Sequence, residues 1–552
     1  MNSHQYSSLA IGVAGFLLAA CGTAQPSSTG DAAGGQDASP VTPKVNRLVL
    51  AVEPTTSESN LLRQLGATTA WPLFPMHEWL LDVDAKTGKS APMLATSWNI
   101  EPDGASYRFK LRGGVPFHNN NGEFSAQDFA LAVEEKTRPD ATAQSVTYWR
   151  QLLDRVEVVA PMEVVLRLKR PDSQFLDYVS AAVPGTEIAS KAALDRLGEP
   201  TNQSGPLPAT GPYQFKERAF GQYVRYERTP YQHWRVRPDF PELEFRWMKE
   251  ASTRLASLLA GEVQLASLPN DLQKEAEGRG YKSLRGSVPA FRVFFDIRCC
   301  VLTDPKDAKS PFTQPGSPLE DVRVRRALSK AINRDELNRG MFGGKGEVMV
   351  NNPFHPSRLG WRPDWEQRFP AQYGYDLTAA RQLLSDAGYG PTNPLKVNSV
   401  IAQTQGFSGS TDIIDAVANY WRNAGITVEM VTPPTPSVPD TYQNHVTLRA
   451  TSSTLWGGVI NFGSNLATSG RSVMNAYEAD EVLQEIGRTV DETKIVPLWQ
   501  REGQLLFDAH KFIPLFWLPV EIVADPKIVS EWTYPGSLTG NWTHLEYLKA
   551  AR

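Results

Sequence analysis

This chain of 552 residues has few cysteines, almost no excess of charge of one sign and no long apolar run. Its three cysteines exclude a small scaffold held together by disulfides. A formal net charge of −4, from 56 basic and 60 acidic residues, excludes a protein that binds nucleic acid through bulk electrostatics. No apolar run reaches the roughly 18–20 residues that a membrane-spanning helix needs.

The composition and the order of sequence patterns predict a folded α/β protein. Hydrophobic residues make up 41% of the chain and aromatic residues 10%, which excludes a disordered chain. The length predicts roughly three or four domain-sized units. From Arg47 onward strand-like and helix-like segments alternate: a helix-like pattern starts at Asp376 and stops at Gly388, and a strand-like run follows at 395–400. This alternation is typical of α/β units.

The N-terminal residues predict export and lipid attachment. Residues 9–20 form an apolar run of signal-peptide length, so residues 1–20 are predicted to be a signal peptide. Leu18-Ala19-Ala20-Cys21 resembles the bacterial lipobox, and this resemblance implies that Cys21 is acylated more than once, because one acyl chain anchors only weakly. Lys and Arg are absent before the apolar run, which argues against export and leaves a buried N-terminal helix as the alternative.

Residues 21–44 are predicted to be a flexible tether. They are rich in Ser, Thr, Gly, Ala, Pro and Gln and have almost no large apolar side chain to bury. A signal peptide, a lipidated cysteine and a tether together predict a body that works in water at the outer face of a membrane, in the periplasm or outside the cell. Whether the envelope has one membrane or two stays open.

No catalytic or metal-binding pattern in the sequence is complete. Gly343-Gly344-Lys345-Gly346 lacks the upstream Gly and the Ser or Thr of a phosphate-binding loop. The eight histidines have no zinc-site spacing, and the adjacent Cys299 and Cys300 have no further Cys or nearby His to complete a site. These two cysteines are either buried thiols or a vicinal disulfide. The sequence thus predicts no catalytic residue, metal or cofactor, although 60 carboxylates leave a secreted hydrolase as an alternative.

Several motifs, in one order along the chain, resemble a known family. They include Met93-Leu94-Ala95-Thr96-Ser97-Trp98, Gly211-Pro212-Tyr213, Asp321-Val322-Arg323-Val324-Arg325-Arg326-Ala327-Leu328 and Phe512-Ile513-Pro514-Leu515-Phe516. Each motif alone is weak, but together they cover the chain from about Arg47 to Tyr547. They resemble the extracellular solute-binding proteins of family 5, which serve peptide and nickel ABC importers.

The resemblance implies a fold and its boundaries. It implies an α/β, periplasmic-binding-protein-like fold of type II and cluster C character, with two α/β lobes joined by two crossing segments and an additional inserted domain. The N-terminal lobe is expected at 45–72, 200–288 and 512–552, the inserted domain at 73–199 and the C-terminal lobe at 289–511. The crossings are expected at 291–297 and 512–523, as buried strands under the cleft.

The resemblance also implies a function without catalysis. A substrate-binding lipoprotein of this kind captures an oligopeptide-like solute between closing lobes and delivers it to an ABC permease. We expect a monomer that binds a small solute, with no nucleic acid and no cofactor. An oligosaccharide, an opine-like conjugate or chelated nickel are alternative ligands, and a sensor that signals to a partner is an alternative role.

The ligand-binding residues are predicted from the resemblance and from position. The family's recognition stretch resembles Arg-Ala-x-x-x-x-Asp; Arg449 and Ala450 match its start, but the acidic residue is missing. This departure argues against a conventional peptide with a free N-terminus. We expect Arg449 to bind a carboxylate or carbonyl of the ligand, Trp456 to stack on it, and Glu53 to face the cleft. Phe295 and Trp517 are expected at the crossings.

Overall fold

The structure, a computed structural model, describes residues 42–552 except 56, 67–68, 85–88, 144, 202–203, 301, 305–306, 308, 313–314, 401–409, 432–444, 463–476 and 534–541. The predicted signal peptide, Cys21 and most of the predicted tether lie outside the described residues. Within the described residues, no helix has the length and apolar character needed to cross a bilayer.

The described strands form three larger sheets and two small two-stranded ones. In chain order they are β1 (Arg47–Val52), β2 (Leu81–Val83), β3 (Ser90–Pro92), β4 (Ala95–Ile100), β5 (Ser106–Leu111), β6 (Leu153–Ala160), β7 (Glu163–Leu168), β8 (Tyr213–Ala219), β9 (Tyr223–Arg228), β10 (Glu242–Trp247) and β11 (Leu265–Ala266). They continue with β12 (Lys282–Arg285), β13 (Phe291–Arg298), β14 (Glu347–Val348), β15 (Lys396–Val400), β16 (Thr427–Val431), β17 (His445–Thr451), β18 (Phe512–Leu518), β19 (Glu521–Ala524), β20 (Val529–Trp532) and β21 (Leu548–Ala550).

The described helices pack mainly on the faces of these sheets. In chain order they are α1 (Ala126–Thr137), α2 (Val146–Leu152), α3 (Phe175–Tyr178), α4 (Lys191–Leu197), α5 (Ala251–Leu259), α6 (Asn270–Gly278), α7 (Val322–Lys330), α8 (Arg334–Phe342), α9 (Asp364–Gln372), α10 (Leu377–Asp386), α11 (Ser410–Asn423), α12 (Leu455–Phe462), α13 (Tyr477–Arg488) and α14 (Glu492–Asp508). Helix α10 begins where the sequence predicts, because the Asp376 side chain accepts a hydrogen bond from the backbone N–H of Ala379.

The N-terminal lobe is built on a seven-stranded sheet of order β12-β19-β11-β1-β10-β9-β8. Strand β1 lies near its centre and pairs in parallel with β10 on one side and β11 on the other. Leu48 and Leu50 enter one apolar core, whereas Val49 and Ala51 enter a second core on the opposite face. Burial on both faces explains why this strand is continuously apolar instead of alternating.

The C-terminal lobe is built on a six-stranded sheet of order β14-β18-β13-β17-β15-β16. Strand β13 lies between β17 and β18 and is antiparallel to both. Val293, Phe295 and Ile297 face the core beneath α7, α8, α10 and α11, whereas Phe294 faces a second core shared with α9, α13 and α14. The lack of alternation in this strand therefore also follows from burial on both faces.

The inserted domain contains a four-stranded antiparallel sheet of order β4-β5-β7-β6. Strands β6 and β7 form a hairpin, with Ala160 paired to Glu163. Helix α1 begins with a capping box, because the Asp128 side chain accepts from the backbone N–H of Ser125 at 2.9 Å. This sheet and α1 belong to the same apolar core as the N-terminal lobe.

Two short connections join the large sheets, so the predicted two-lobe α/β fold with an inserted domain is confirmed. Residues 286–290 lead from β12 to β13, and residues 519–520 lead from β18 to β19. The prediction that 291–297 forms a crossing is wrong, because these residues pair with β17 and β18 inside the C-terminal sheet. The second predicted crossing, 512–523, contains one strand of each lobe and the connection between them.

Cys299 and Cys300 form a vicinal disulfide directly after β13. The sequence left this disulfide and a pair of thiols as alternatives. Both residues are buried, and they belong to the core of the C-terminal lobe.

Replacing either of two helical glycines with alanine is expected to change the free energy of unfolding in opposite directions. A Cβ at Gly503 in α14 would lie 2.4 Å from Trp365, whereas a Cβ at Gly340 in α8 would meet nothing within 4 Å. We expect Gly503→Ala to lower the free energy of unfolding by about 1–3 kcal/mol through overpacking. Gly340→Ala should raise it by about 0.5–1 kcal/mol through helix propensity. Urea unfolding of both variants measures the difference; equal effects would contradict the packing described here.

Candidate ligand-binding cleft

The carboxyl ends of three parallel strands form one edge of the N-terminal lobe. Strands β10, β1 and β11 end at Trp247, Val52 and Ala266, and Glu53 and Ser267 follow directly. In open α/β sheets, ligands bind in the crevice outside such carboxyl ends. Strand β12 ends at the same edge and leads into the first connection, so this edge faces the C-terminal lobe.

Glu53 is held at this edge by an ion pair within the N-terminal lobe. Its carboxylate accepts a hydrogen bond from Nη2 of Arg254 and, at 3.3 Å, from the hydroxyl of Ser267. Arg254 also donates to the backbone carbonyls of Met248 and Ser267. The Glu53 side chain keeps 35% of its surface exposed. Glu53 therefore has a neutralising partner but remains accessible from one side.

Aromatic rings line the end of β10. Trp71 contacts Phe245, Trp247 and Trp542 edge-on, with ring centroids 5.3, 5.7 and 5.5 Å apart. Within the described residues, the indole N–H of Trp247 and the hydroxyl of Thr55 are buried and have no hydrogen-bond partner. The rings of Trp71, Phe245 and Trp247 are buried in the core of the N-terminal lobe, and Trp247 keeps 8% of its surface exposed at the end of β10. Unused polar groups beside apolar side chains are a common composition for a small-molecule site.

The facing edge of the C-terminal lobe holds two arginines. Arg292, at the start of β13, donates from Nη1 to Oδ1 of Asn352 at 3.0 Å and from Nη2 to Oγ of Ser453 at 2.6 Å. Arg358 donates from Nη1 to the carbonyl of Ser453 at 3.2 Å. Its guanidinium lies 4.7 Å from the ring centroid of Trp517. We call Arg292 and Arg358 the basic pair.

Burial and like charge act together on the basic pair. Arg292 is fully buried, and its burial together with the nearby charge of Arg358 holds its pKa well below the ordinary value. Burial also lowers the pKa of Arg358 to about 10, while the charge of Asp177 opposes that shift. With a pKa of about 10, the guanidinium of Arg358 carries its charge at neutral pH. The C-terminal edge of the cleft is therefore electropositive.

The inserted domain bridges the mouth of the cleft through residues 172–178. The backbone N–H of Ser173 donates to the carbonyl of Gly487 at 3.2 Å, and its hydroxyl donates to the carbonyl of Ile486 at 2.8 Å. Asp177 faces Arg358, and burial raises the pKa of Asp177 to about 6 despite that cation. The described structure thus brings the inserted domain against the last turn of α13.

The predicted ligand residues of β17 and α12 have partners inside the C-terminal lobe. Nε of Arg449 donates to Oδ2 of the buried Asp296 at 2.9 Å, so its charge is balanced by a neighbouring strand. Trp456 contacts Trp499, with ring centroids 6.4 Å apart. A Cβ at Gly487 would lie 3.0 Å from the Trp456 ring, which places this ring beside the mouth of the cleft.

The two aromatic residues predicted at the crossings differ in position. Trp517 is buried beneath Arg358 and also contacts the His355 ring, with centroids 5.3 Å apart. Phe295 is fully buried on the other face of the sheet, where its ring lies 5.2 Å from Trp421. This placement does not match a cleft role for Phe295, because successive strand residues point to opposite faces.

The sequence reasoning missed the basic pair, Asp177 and Trp247. The one available signal was Arg292, a charged residue inside the otherwise apolar run at the start of β13. Nothing in the local sequence distinguishes Arg358 or Asp177 from surface charges. In the described part of the chain, no group of three or more His, Cys, Asp or Glu side chains could hold a metal ion.

Comparison with known proteins agrees with this architecture. The model of the bacterial extracellular solute-binding proteins, family 5 (middle), matches residues 89–470. The dipeptide-binding protein of Escherichia coli is 24% identical over 387 residues, which cover 66% of this chain and 68% of that protein. Heme-binding protein A of Haemophilus influenzae is 27% identical over 333 residues, covering 56% of each chain, so the match spans little more than half of that relative.

A solved structure extends the match to most of the fold. The structure of NikA from Brucella suis in complex with Fe(III)-EDTA superposes with a TM-score of 0.73, at 19% identity, over 91% of this chain and 99% of that one. The family match covers more than half of the chain, and the two-lobed architecture agrees with it. The chain therefore belongs to the bacterial extracellular solute-binding proteins of family 5.

Proposed function

We propose that this protein is the substrate-binding lipoprotein of an ABC importer. It captures an oligopeptide-like solute between its two lobes and delivers the closed complex to a membrane permease. The observation that carries this proposal is the pair of facing sheet edges, between which the chain crosses through the short connections 286–290 and 519–520. Such a linkage lets two rigid lobes rotate toward each other around a ligand.

The charges of the cleft support a solute that carries both charge signs. Glu53 lies on the N-terminal edge and Asp177 on the inserted domain, whereas the basic pair lies on the C-terminal edge. Aromatic rings around Trp247 supply apolar contact area between them. A peptide has this combination of charged ends, backbone donors and acceptors, and apolar side chains.

An opine-like conjugate is the second candidate ligand. It carries carboxylates, which the basic pair could bind. It also lacks a primary amine, and this chain lacks the acidic residue with which the family binds that amine. An oligosaccharide is less well supported, because a neutral sugar offers no charged acceptor to the buried Nη2 of Arg358. The relatives bind a dipeptide, haem or a metal chelate according to their names, so family membership alone does not select the ligand.

We further propose that the protein is not an enzyme and is anchored by acylated Cys21 at the outer face of a membrane. The cleft residues described here have binding geometry: the carboxylate of Glu53 is neutralised by Arg254, and that of Asp296 by Arg449. A hydrolase would instead need an activated nucleophile or a pair of carboxylates at the reacting bond. The lipobox and the tether support the anchor, and the permease is the expected partner of the closed form.

Native mass spectrometry of the soluble form starting at Gly22, purified without denaturant, identifies the ligand. We expect adducts whose masses fit a series of short peptides, because the cleft presents charged and apolar groups together. A single carboxylate-rich adduct would support the opine-like alternative. Turnover of a peptide or polymer mixture by the purified protein would refute the proposed binding function.

Substitution of Cys21 examines the proposed anchor. In bacteria that express the full chain, we expect the wild-type protein to partition into detergent and its N-terminal peptide to carry acyl chains. Cys21→Ala should lose the acyl chains and the detergent partitioning, because the modified sulfur is removed. Ser27→Ala, in the tether, is the control and should behave as wild type. Wild-type protein without acyl mass would rule out the anchor.

Substitution of Ser173 tests whether closure of the cleft contributes to ligand affinity. Its hydroxyl bonds to Ile486 across the mouth of the cleft, so Ser173→Ala should weaken ligand binding by about threefold to tenfold through loss of one closed-state hydrogen bond. Ser530→Ala removes hydroxyl contacts within the N-terminal lobe only and should leave the affinity unchanged. Isothermal titration with the ligand found by mass spectrometry measures both. Equal affinities for all three proteins would show that this contact does not report closure.

A further inference from the structure

Three positive groups meet at one point on the C-terminal edge of the cleft. Arg292 and Arg358 reach Ser453 from different parts of the chain, one at its hydroxyl and the other at its carbonyl. Ser453 directly precedes Thr454, whose side chain accepts from the backbone N–H of Gly457 in the first turn of α12. The positive end of the α12 dipole therefore lies beside the basic pair.

The first turn of α12 is shaped to admit the Arg292 guanidinium. A Cβ at Gly458 would lie 2.8 Å from Nη1 of Arg292 and 2.8 Å from Pro353. Any larger residue at this position would therefore displace the guanidinium or the Pro353 ring. Gly458 lies three residues after Leu455, which stands where the family's Arg-Ala-x-x-x-x-Asp pattern has its acidic residue.

Arg358 has a buried donor that the protein leaves unused. Its Nη2 is buried and has no hydrogen-bond partner among the described residues, while Nη1 is bonded to Ser453. The face of the guanidinium is covered by Trp517 at 4.7 Å, which fixes its plane. A guanidinium held in this way presents a rigid, directional donor suited to a planar anion.

The charge of Arg358 is only partly balanced by acidic side chains within the described structure. Asp177 is the described acidic group that acts on Arg358, and the two side chains form no salt bridge there. The charge of Arg358 acts in turn on Arg292 and adds to the cost of burying it. An anion that bonds to Arg358 at this place is also attracted by the charge of Arg292.

We propose that Arg292, Arg358 and Ser453 form a subsite for a carboxylate of the ligand. This inference rests on the proposed function and adds to it the orientation of the solute, with an anionic group held by the C-terminal lobe. The carboxylate accepts from the free Nη2 of Arg358, and the charge of the neighbouring Arg292 attracts it. Asp177, across the cleft, is then left to meet a donor or a cation of the same solute.

Matched pairs of carboxylates and amides test the subsite. The probes are trialanine with trialanine amide and N-acetylglutamate with its diamide, titrated calorimetrically into the soluble form. We expect at least one acid to bind about tenfold to a hundredfold more tightly than its amide, as loss of a charged hydrogen bond implies. Arg358→Gln should remove that preference, and Arg358→Lys, which keeps the charge but loses the fork, should restore part of it.

The control is Arg362→Gln in the same segment, because Arg362 is paired with Asp364 at 2.9 Å and lies away from the cluster. Thermal unfolding without ligand establishes that each variant is folded. Gly458→Ala is a second variant that tests the subsite, because it displaces Arg292 without removing its charge. Acids and amides that bind equally, an acid preference that survives in Arg358→Gln, or no binding by any probe would each overturn the subsite. If peptides bind without a preference for the acid, the subsite is refuted but the proposed function stands. If N-acetylglutamate alone binds better than its amide, the peptide ligand is refuted but the subsite stands.

Discussion

The antiparallel pairing of β13 with β18 is the contact on which the two-lobed arrangement depends. These strands lie more than 200 residues apart in sequence, and each continues directly into a connection between the lobes. Backbone hydrogen bonds from Gly286 to Val520 and from Ala290 to Leu518 hold the two connections together. Both strands are buried on both faces, so hydrophobic burial fixes their register firmly. The hinge of the molecule is thus anchored in two buried strands.

The same pairing places a charge where charge is costly. In this register Arg292 lies opposite Trp517 on one side and Thr451 on the other, at the edge of the sheet that faces the cleft. Burying a guanidinium is unfavourable unless its donors are satisfied, and Asn352 and Ser453 accept hydrogen bonds from it. A second cation beside it adds repulsion, which a bound anion would relieve. The free energy of ligand binding would then include the removal of this unfavourable interaction in the unliganded protein.

Some of the architecture could be read from local sequence, and some could not. The helix start at Asp376 and the α/β alternation each depend on residues close together in the chain, and the structure agrees with them. The crossing at 291–297 was placed wrongly because a continuously apolar strand looks the same in a sheet centre as in a hinge. Phe295 was misjudged for a related reason: the side of the sheet on which a strand residue lies depends on the neighbouring elements.

The sequence by itself determined the family, the fold class and the expectation of an exported receptor, because these follow from ordered motifs and from periodicity along the chain. Only the tertiary structure decided which charges meet in the cleft. Arg292 and Arg358 are 66 positions apart and Asp177 belongs to another domain, and their encounter depends on strand register and on the docking of the inserted domain. Arg449, which the motif singled out, is instead neutralised by Asp296 on the adjacent strand. Packing between residues far apart in the chain determines these pairings, and no local sequence pattern predicts them.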